Sequence, residues 1–323
     1  MLEFNSAPKK SAALHRTEAF DADLHAANLT NWQQEYNQTS RGHFHGSIVE
    51  LAFDDLQVFR EHTSQALQQK CVVWPDSVWL GIPRDDRRES RINGLSIRQN
   101  DIMCRPGNCE FHLTTPQDFD IYGLVVKHET LRQLAGIHGV DINESDLRTH
   151  GRFSVPDKTL HDIRYLLTCL LDTESHGRAT RTTHDVIMIG LLEILKTNTP
   201  TPARTRSYQH RKRVVDSART FIDANHEETV TITDLCRATH VSRRTLQYSF
   251  ESILGISPNQ YLRISRLNGV RRALLQSDGV EHITDIASQW GFWHMSQFAK
   301  DYANLFGARP SQTLSISASR PRP

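Results

Sequence analysis

Thr231–Leu262, TITDLCRATHVSRRTLQYSFESILGISPNQYL, and His282–Leu314, HITDIASQWGFWHMSQFAKDYANLFGARPSQTL, are two versions of one pattern about 50 residues apart. Each reads as helix, tight turn, helix. Thr233 and Thr284 are candidate caps, each followed by an Asp in the first turn, where the helix dipole favours negative charge. Apolar residues recur at helical spacing, Ile232, Leu235 and Cys236 in one copy and Ile283, Ile286 and Ala287 in the other, up to a break near His240 or Gly291. Ser242 and Ser296 then suit the start of a second helix that buries Leu246 and Phe250, or Phe298 and Tyr302, at i and i+4. Its opposite face stays polar, with Arg243, Arg244, Gln247 and Tyr248 in the first copy and His294, Ser296, Gln297 and Lys300 in the second. Arg, Lys and Gln hold phosphates or read base edges, so these faces have the chemistry of a DNA groove.

The spacer supports the same reading. Pro258 to Gln276 can form one helix with Tyr261, Leu262, Ile264, Leu267, Val270 and Leu274 as its inward stripe. Nineteen helical residues span roughly 28 Å at 1.5 Å each. Two recognition helices held on that scale can enter successive major grooves, which lie about 34 Å apart on one face of DNA. From Tyr208 onward there are fifteen Lys and Arg against ten Asp and Glu, an excess of five in a chain whose net charge is +1. The positive charge lies where phosphates would be neutralised.

At 323 residues there is room for two domains, each with its own core. No run of 18 apolar residues occurs and the first 20 residues lack the apolar core of a signal peptide, which predicts a cytoplasmic protein with no membrane partner. Five scattered cysteines, 71, 104, 109, 169 and 236, do not form a disulfide framework and are expected as reduced thiols. Two Pro and several Thr between Thr197 and Tyr208 interrupt the apolar periodicity. The expected division is an effector-binding or oligomerisation domain over 1–198, a linker over 199–210 and a DNA-binding domain over 211–316.

The first 40 residues are polar and irregular, with one helix expected over Ala22 to Tyr36. Eight short β-rich runs follow, SIVELAF, LQVFREH, CVVW, SVWLGIP, RINGLSI, DIMCRP, EFHLT and FDIYGLVV, separated by turns such as Asp54-Asp55, Pro75-Asp76, Asn93-Gly94 and Gly107-Asn108. The spacing predicts a small antiparallel β-barrel, cupin-like or a jelly roll, whose interior is a common ligand cavity. The fold class is therefore α+β, a sensor barrel with helices followed by an all-α domain of two helix-turn-helix motifs joined by a long helix. HDIRYLLTCLLDTE and THDVIMIGLLEILKT carry apolar faces that pack on the barrel or on a second subunit, so a homodimer is a possible partner arrangement. Trp74, Trp79, Phe111 and Tyr122 are candidates for an effector-lined wall, with core packing as the alternative role. His43 and His45 form an HxH pair of the kind metal-dependent barrels use, and Cys104, Cys109 and His112 suggest zinc. No matching Glu-plus-His spacing follows the HxH pair, and CRPGNC reads as a turn, so no metal site is expected and no cofactor is required.

The run DIASQWGFWHMSQFAKDYANLFGARPSQTL, with Gly291 and Phe292 ahead of the last recognition helix and Phe306, Gly307 and Pro310 closing it, resembles the AraC/XylS-type transcription regulators over 213–314. The resemblance implies base-facing positions at Arg244, Gln247 and Tyr248, and at Met295, Ser296, Ala299 and Lys300, and it implies promoter DNA and RNA polymerase as partners. Arg243 and Gln297 join them as exposed neighbours on the same faces. Met295 and Ala299 cannot donate hydrogen bonds to bases, so the second motif would lean on thymine methyl contact or DNA shape. The phrases DDLQVFRE and VVWPDSVWLGIP resemble the amino-terminal domains of regulators of ethanolamine-utilisation operons. That resemblance implies an activator with ethanolamine as small-molecule effector and adenosylcobalamin as a possible co-effector, although no DxHxxG cobalamin-ligating motif is present.

Two other readings belong to different classes. In one, a metal-dependent cupin-type enzyme domain is fused to a DNA-binding module; in the other, the barrel serves dimerisation only and DNA binding needs no effector. The chain has no Gly-rich phosphate loop, GxSxG elbow or HExxH motif, so the expectation is a protein that is not an enzyme.

Overall fold

Period-two alternation builds the amino-terminal unit into three layers. In the computed structural model, which describes residues 13–84, 89–140, 151–172, 180–197, 199–200, 205–225, 229–277 and 281–318, thirteen strands form two sheets. β1 (Leu14–Ala19), β3 (Gly46–Ala52), β4 (Leu56–Thr63), β11 (Phe119–Lys127), β6 (Ser77–Pro83), β9 (Asp101–Pro106), β12 (Arg152–Ser154) and β13 (Thr199–Pro200) lie side by side in that order. β2 (Gln33–Gln38), β5 (Leu67–Val72), β10 (Phe111–Thr115), β7 (Arg91–Ile92) and β8 (Leu95–Ser96) form the second sheet. Every pairing between them is antiparallel.

In β11, Ile121 and Val125 point between the sheets, while Tyr122, Leu124 and Val126 point away. The inner side meets Tyr36, Leu67, Cys71 and Phe111 of the smaller sheet. The outer side is covered by α2 (His128–His138), α3 (Asp157–Leu171) and α4 (Arg181–Thr197), through Leu131, Ile163, Leu167, Leu191 and Ile194. A strand that is apolar on both faces needs a cover on both, and the helices supply the second.

The closed barrel expected from strand spacing is not what forms. Closure requires an edge of one sheet to pair with an edge of the other, and both sheets remain open, ending at β1 and β13 and at β2 and β8. The helix expected over 22–36 is also corrected. α1 covers only Ala22–Ala26, started by Asp21, whose carboxylate accepts from the N–H groups of Asp23 and Leu24. Asn31 then turns the chain with φ of 62°, and Gln33–Gln38 becomes β2. Within 199–210 lie β13, paired with β12, and the start of α5 (Arg206–Ala224).

The carboxy-terminal unit is all helix: α5, α6 (Ile232–Thr239), α7 (Arg243–Leu254), α8 (Pro258–Gln276), α9 (Ile283–Gln289), α10 (Met295–Phe306) and α11 (Pro310–Ala318). It holds two cores. Val215, Ala218, Leu235, Leu246, Phe250 and Leu262 form one, and Leu267, Val270, Ile286, Phe298, Tyr302 and Phe306 the other. α8 contributes to both, as its apolar stripe predicts; Tyr261, Leu262, Ile264, Leu267, Val270 and Leu274 are all buried. Its rotation is locked where Gly269 meets the Trp290 ring, since a Cβ there would lie 2.2 Å from the indole.

The two units grip each other through polar contacts. The Gln38 N–H donates to Asn268 Oδ1 at 2.9 Å and Asn268 Nδ2 donates to the Gln38 carbonyl at 3.0 Å. Arg271 pairs with Asp21 and stacks over Phe306, while Arg272 reaches Asp23 at 3.2 Å and Asn37 at 3.1 Å. Burial outweighs the Arg272 attraction at Asp23 and pushes its carboxyl up to about 6. The carboxyl ends of α7 and α10 are held as well. Arg91 donates to the carbonyls of Ser252 and Ile253, and the Gln38 side chain and Gly42 N–H both donate to the Leu305 carbonyl, at 2.7 and 3.0 Å.

Candidate nucleic-acid interface

Each helix pair is set by its caps and its turn. Thr231, two residues before the expected Thr233, caps α6: its hydroxyl accepts from the Asp234 N–H, and Asp234 accepts from the Thr231 N–H at 3.0 Å. The Thr231 hydroxyl also donates to the Asp234 carboxylate at 2.6 Å, and that bond, with the one from the Thr231 N–H, holds the Asp234 carboxyl below the usual carboxylate range. In the second copy the cap position is His282, not Thr284, and it makes no side-chain cap bond. The turns come where expected. His240 sits at φ 54° and Gly291 at φ 76°, both left-handed, and Thr229 packs so close to Gly291 that a Cβ would lie 2.6 Å from its hydroxyl.

α7 begins as predicted, with Ser242 Oγ accepting from the Thr245 N–H at 3.2 Å. The cap of α10 lies two residues before the expected Ser296: His294 occupies the cap position and Met295 the first turn. The buried anchors are Leu246 and Phe250 in one recognition helix and Phe298 and Tyr302 in the other. With those inward, the polar face is outward. Arg243, Arg244 and Tyr248 are exposed on α7, and Gln247 is half-buried and donates to Glu251. Arg211 of α5 lies over the Tyr248 ring at 5.4 Å and restrains it.

On α10, Ser296, Gln297, Ala299 and Lys300 are exposed, and Gln297 donates to Asp301 at 2.8 Å. Asp301 in turn pairs with Arg263 of α8, tying this helix to the connector. Met295 differs from its neighbours, since it packs half-buried against the second core. Trp293, which the sequence reading passed over, stands 72% exposed just ahead of α10.

The effector candidates do not form one wall. Trp79 and Phe111 stack between the sheets with centroids 4.9 Å apart, and the Trp74 indole N–H donates to Gln57 at the same layer. Tyr122 faces the opposite side of the sheet, where its hydroxyl and that of Thr168 on α3 hydrogen-bond at 2.8 Å. The His pair also separates. His43 packs on Gly307 of the helical unit, whereas His45 lies 3.9 Å from Glu18 and beside the Phe20 ring. Cys104 is buried under the helices while Cys109 is exposed, and no group of three or more His, Cys, Asp or Glu placed to hold a metal occurs among the described residues. No helix among them is long and apolar enough to cross a membrane.

A helix-turn-helix domain model matches residues 235–315. The chain is 32% identical over 132 residues to XylDLEGF operon transcriptional activator 2 of Pseudomonas putida, spanning 82% of that protein and 41% of this one. The chain belongs to the AraC/XylS family. Its members are transcription regulators that bind DNA through this double motif, and the family relation points away from an enzyme. Another relative is the probable thc operon regulatory protein of Rhodococcus erythropolis, 36% identical over 102 residues, of which the chain spans 31%. The chain covers 43% of a second Pseudomonas putida XylDLEGF operon transcriptional activator, so likeness to these AraC/XylS proteins is concentrated in one part of their length. Among solved structures, the AraC-like transcriptional activator CuxR aligns over 85% of this chain and all of its own at 15% identity and TM-score 0.42, too distant a likeness to carry an argument.

Proposed function

We propose that this AraC/XylS chain is a sequence-specific transcription activator whose amino-terminal unit, built on a jelly-roll-like pair of sheets, responds to a small-molecule effector. One observation carries the reading: α7 and α10, each seated by a buried aromatic pair or Leu-Phe pair, turn polar faces outward from opposite ends of α8. Arg243, Arg244, Gln247 and Tyr248 contact one half-site, and Met295, Ser296, Gln297, Ala299 and Lys300 the other. The DNA-binding domain proposed over 211–316 takes in α5 from Arg206, and the proposed linker over 199–210 narrows to the residues between β13 and α5. The operon activators among the relatives support activation; RNA polymerase as partner and the cytoplasm as location belong to the same proposal. A homodimer would use the α3–α4 surface, where Tyr165, Val186 and Ile189 are exposed.

The narrower effector reading is ethanolamine with adenosylcobalamin, and its support is the resemblance of 31–83 alone. Trp74, Trp79, Phe111 and Tyr122 would then belong to or support the effector site. The test is calorimetric titration of the full chain with ethanolamine, with and without adenosylcobalamin, alongside binding to its own promoter DNA. Saturable heat that shifts promoter affinity supports this pair of signals. A folded, promoter-binding protein that gives no heat retains the regulator reading and refutes the pair.

A further inference from the structure

The sheet unit and α5 border an open polar cleft of about 750 Å³. That is ample for a small metabolite. Lys70 and Arg105 enter it from the sheets, and Lys212 and Arg219 from α5. The two lysines are already paired, Lys70 with Glu110 and Asp223 at 3.3 Å and Lys212 with Asp216. Arg219 is not. It is 8% exposed, and its guanidinium lies 5.8 Å from the Tyr261 ring centre and engages the Tyr261 side chain in place of a carboxylate. Arg219 lines the cleft, and the N–H donors of its guanidinium not taken up by Tyr261 offer a fork that matches a carboxylate or phosphate.

We propose that this cleft binds a small polar metabolite carrying an oxyanion, carboxylate or phosphate, whose charged group is held by Arg219. The proposal rests on reading the chain as an effector-responsive regulator and gives the effector a chemical class. The surroundings agree with it. His112, on the sheet wall, is pushed down to about 2 by burial and then by the cations Arg219, Lys212 and Lys70, and the four cations of the lining outnumber its carboxylates Glu110, Asp216 and Asp223. A ligand there touches both units at once. It would join β5 and β10 to α5, the helix that packs on the first helix-turn-helix core, and so favours one arrangement of the two units over others.

The test titrates the full chain with inorganic phosphate and, separately, with succinate, at matched ionic strength, by calorimetry and by the NMR signals of the His112 ring. The expected result is saturable binding of at least one anion with a shift of the His112 signals. Which of the two binds distinguishes phosphate from carboxylate recognition. R219Q should weaken binding at least about tenfold, the effect of losing one charge-assisted contact. T220E, which places a carboxylate beside Arg219 on the exposed side of α5, should abolish it without touching the core, and K158Q, on remote α3, should leave it unchanged. Thermal melting identifies a variant that fails to fold. No saturable binding of either anion, or binding untouched by both R219Q and T220E in folded protein, overturns the site. Promoter binding measured on the same samples keeps this failure separate: its loss strikes the regulator reading, whereas its persistence without anion binding strikes the cleft alone.

Discussion

Arg244 and Trp293 show what a single exposed side chain contributes once its neighbours are buried. Arg244 has no packing role on α7, so R244A should leave the melting temperature unchanged and weaken binding to the preferred DNA by about 1–3 kcal/mol, with little effect on unrelated DNA. Fluorescence anisotropy against specific and scrambled duplexes measures both, and an equal loss on the two would make Arg244 a phosphate contact. Trp293 exposes an apolar ring at the entrance of α10, where it can meet a sugar or a thymine methyl. W293A should lower DNA affinity several-fold in the same assay while the protein melts as before; unchanged affinity would remove Trp293 from the interface. Residue-scale reading succeeded wherever burial followed periodicity, as at Leu246, Phe250, Phe298 and Tyr302. It slipped at the caps. Thr231 and Asp234 stand three apart, the capping-box spacing, and that reciprocal pair outweighs the lone Thr233; in the second copy His282 occupies the equivalent place without a side-chain bond, so no cap signal existed to be read.

At the scale of elements, helix α4 is tied to the β3–β4 turn by His184 and Asp55, 3.1 Å apart. Hydrogen bonding to Asp55 raises the His184 pKa above 6.5, and the same bond lowers that of Asp55 below 3.8. A raised histidine stabilises fully below its unfolded value and loses this as pH rises through the folded one; a depressed carboxyl stabilises above its unfolded value and loses this on acidification. The pair is therefore worth most between about 4 and 6.5, by about 1 kcal/mol or less for such half-exposed groups. H184A should cost more stability near pH 5.5 than near pH 8.5 in urea titrations, with a pH-independent remainder from the lost Phe53 ring contact. An equal cost at both would mean the pair contributes nothing.

G269A tests how α8 is locked. The Trp290 indole would have to move, at about 1–3 kcal/mol, and the second motif should lose stability more than the first by hydrogen exchange. A melting temperature at or above that of the parent would contradict the contact. α8 itself was legible end to end because Ser257 and Pro258 announce its start and one stripe runs its length. The stretch 22–36 was misread because Ala22, Leu24, Ala26 and Ala27 favour helix locally. Asn31 in a left-handed turn, the burial of Tyr36 between the sheets and that of Gln38 against the helical unit decide otherwise, and those partners lie far away in sequence.

Across the whole molecule, the amino-terminal unit holds the carboxyl ends of both recognition helices and the middle of the connector between them. Arg91 reaches the end of α7, Gln38 and Gly42 the end of α10, and Gln38 with Asn268 the centre of α8. Their amino ends and outward faces stay clear of these contacts. Such a grip fixes the angle between the two readers without covering either. None of it was legible in the sequence, because each bond joins residues 160 or more positions apart, with no local pattern to announce the pairing. The open double sheet escaped for a similar reason: strand number and spacing are local, whereas closure depends on which edges meet.

The measurement that bears most directly on this account is selection of binding sites from random duplex DNA by the full chain and by R244A and K300A. One chain reading two grooves should select two short blocks with centres about one helical turn, ~10 base pairs, apart. R244A should relax one block and K300A the other. A single block, no sequence preference, or both substitutions acting on the same block would contradict a connector that delivers two recognition helices to adjacent half-sites.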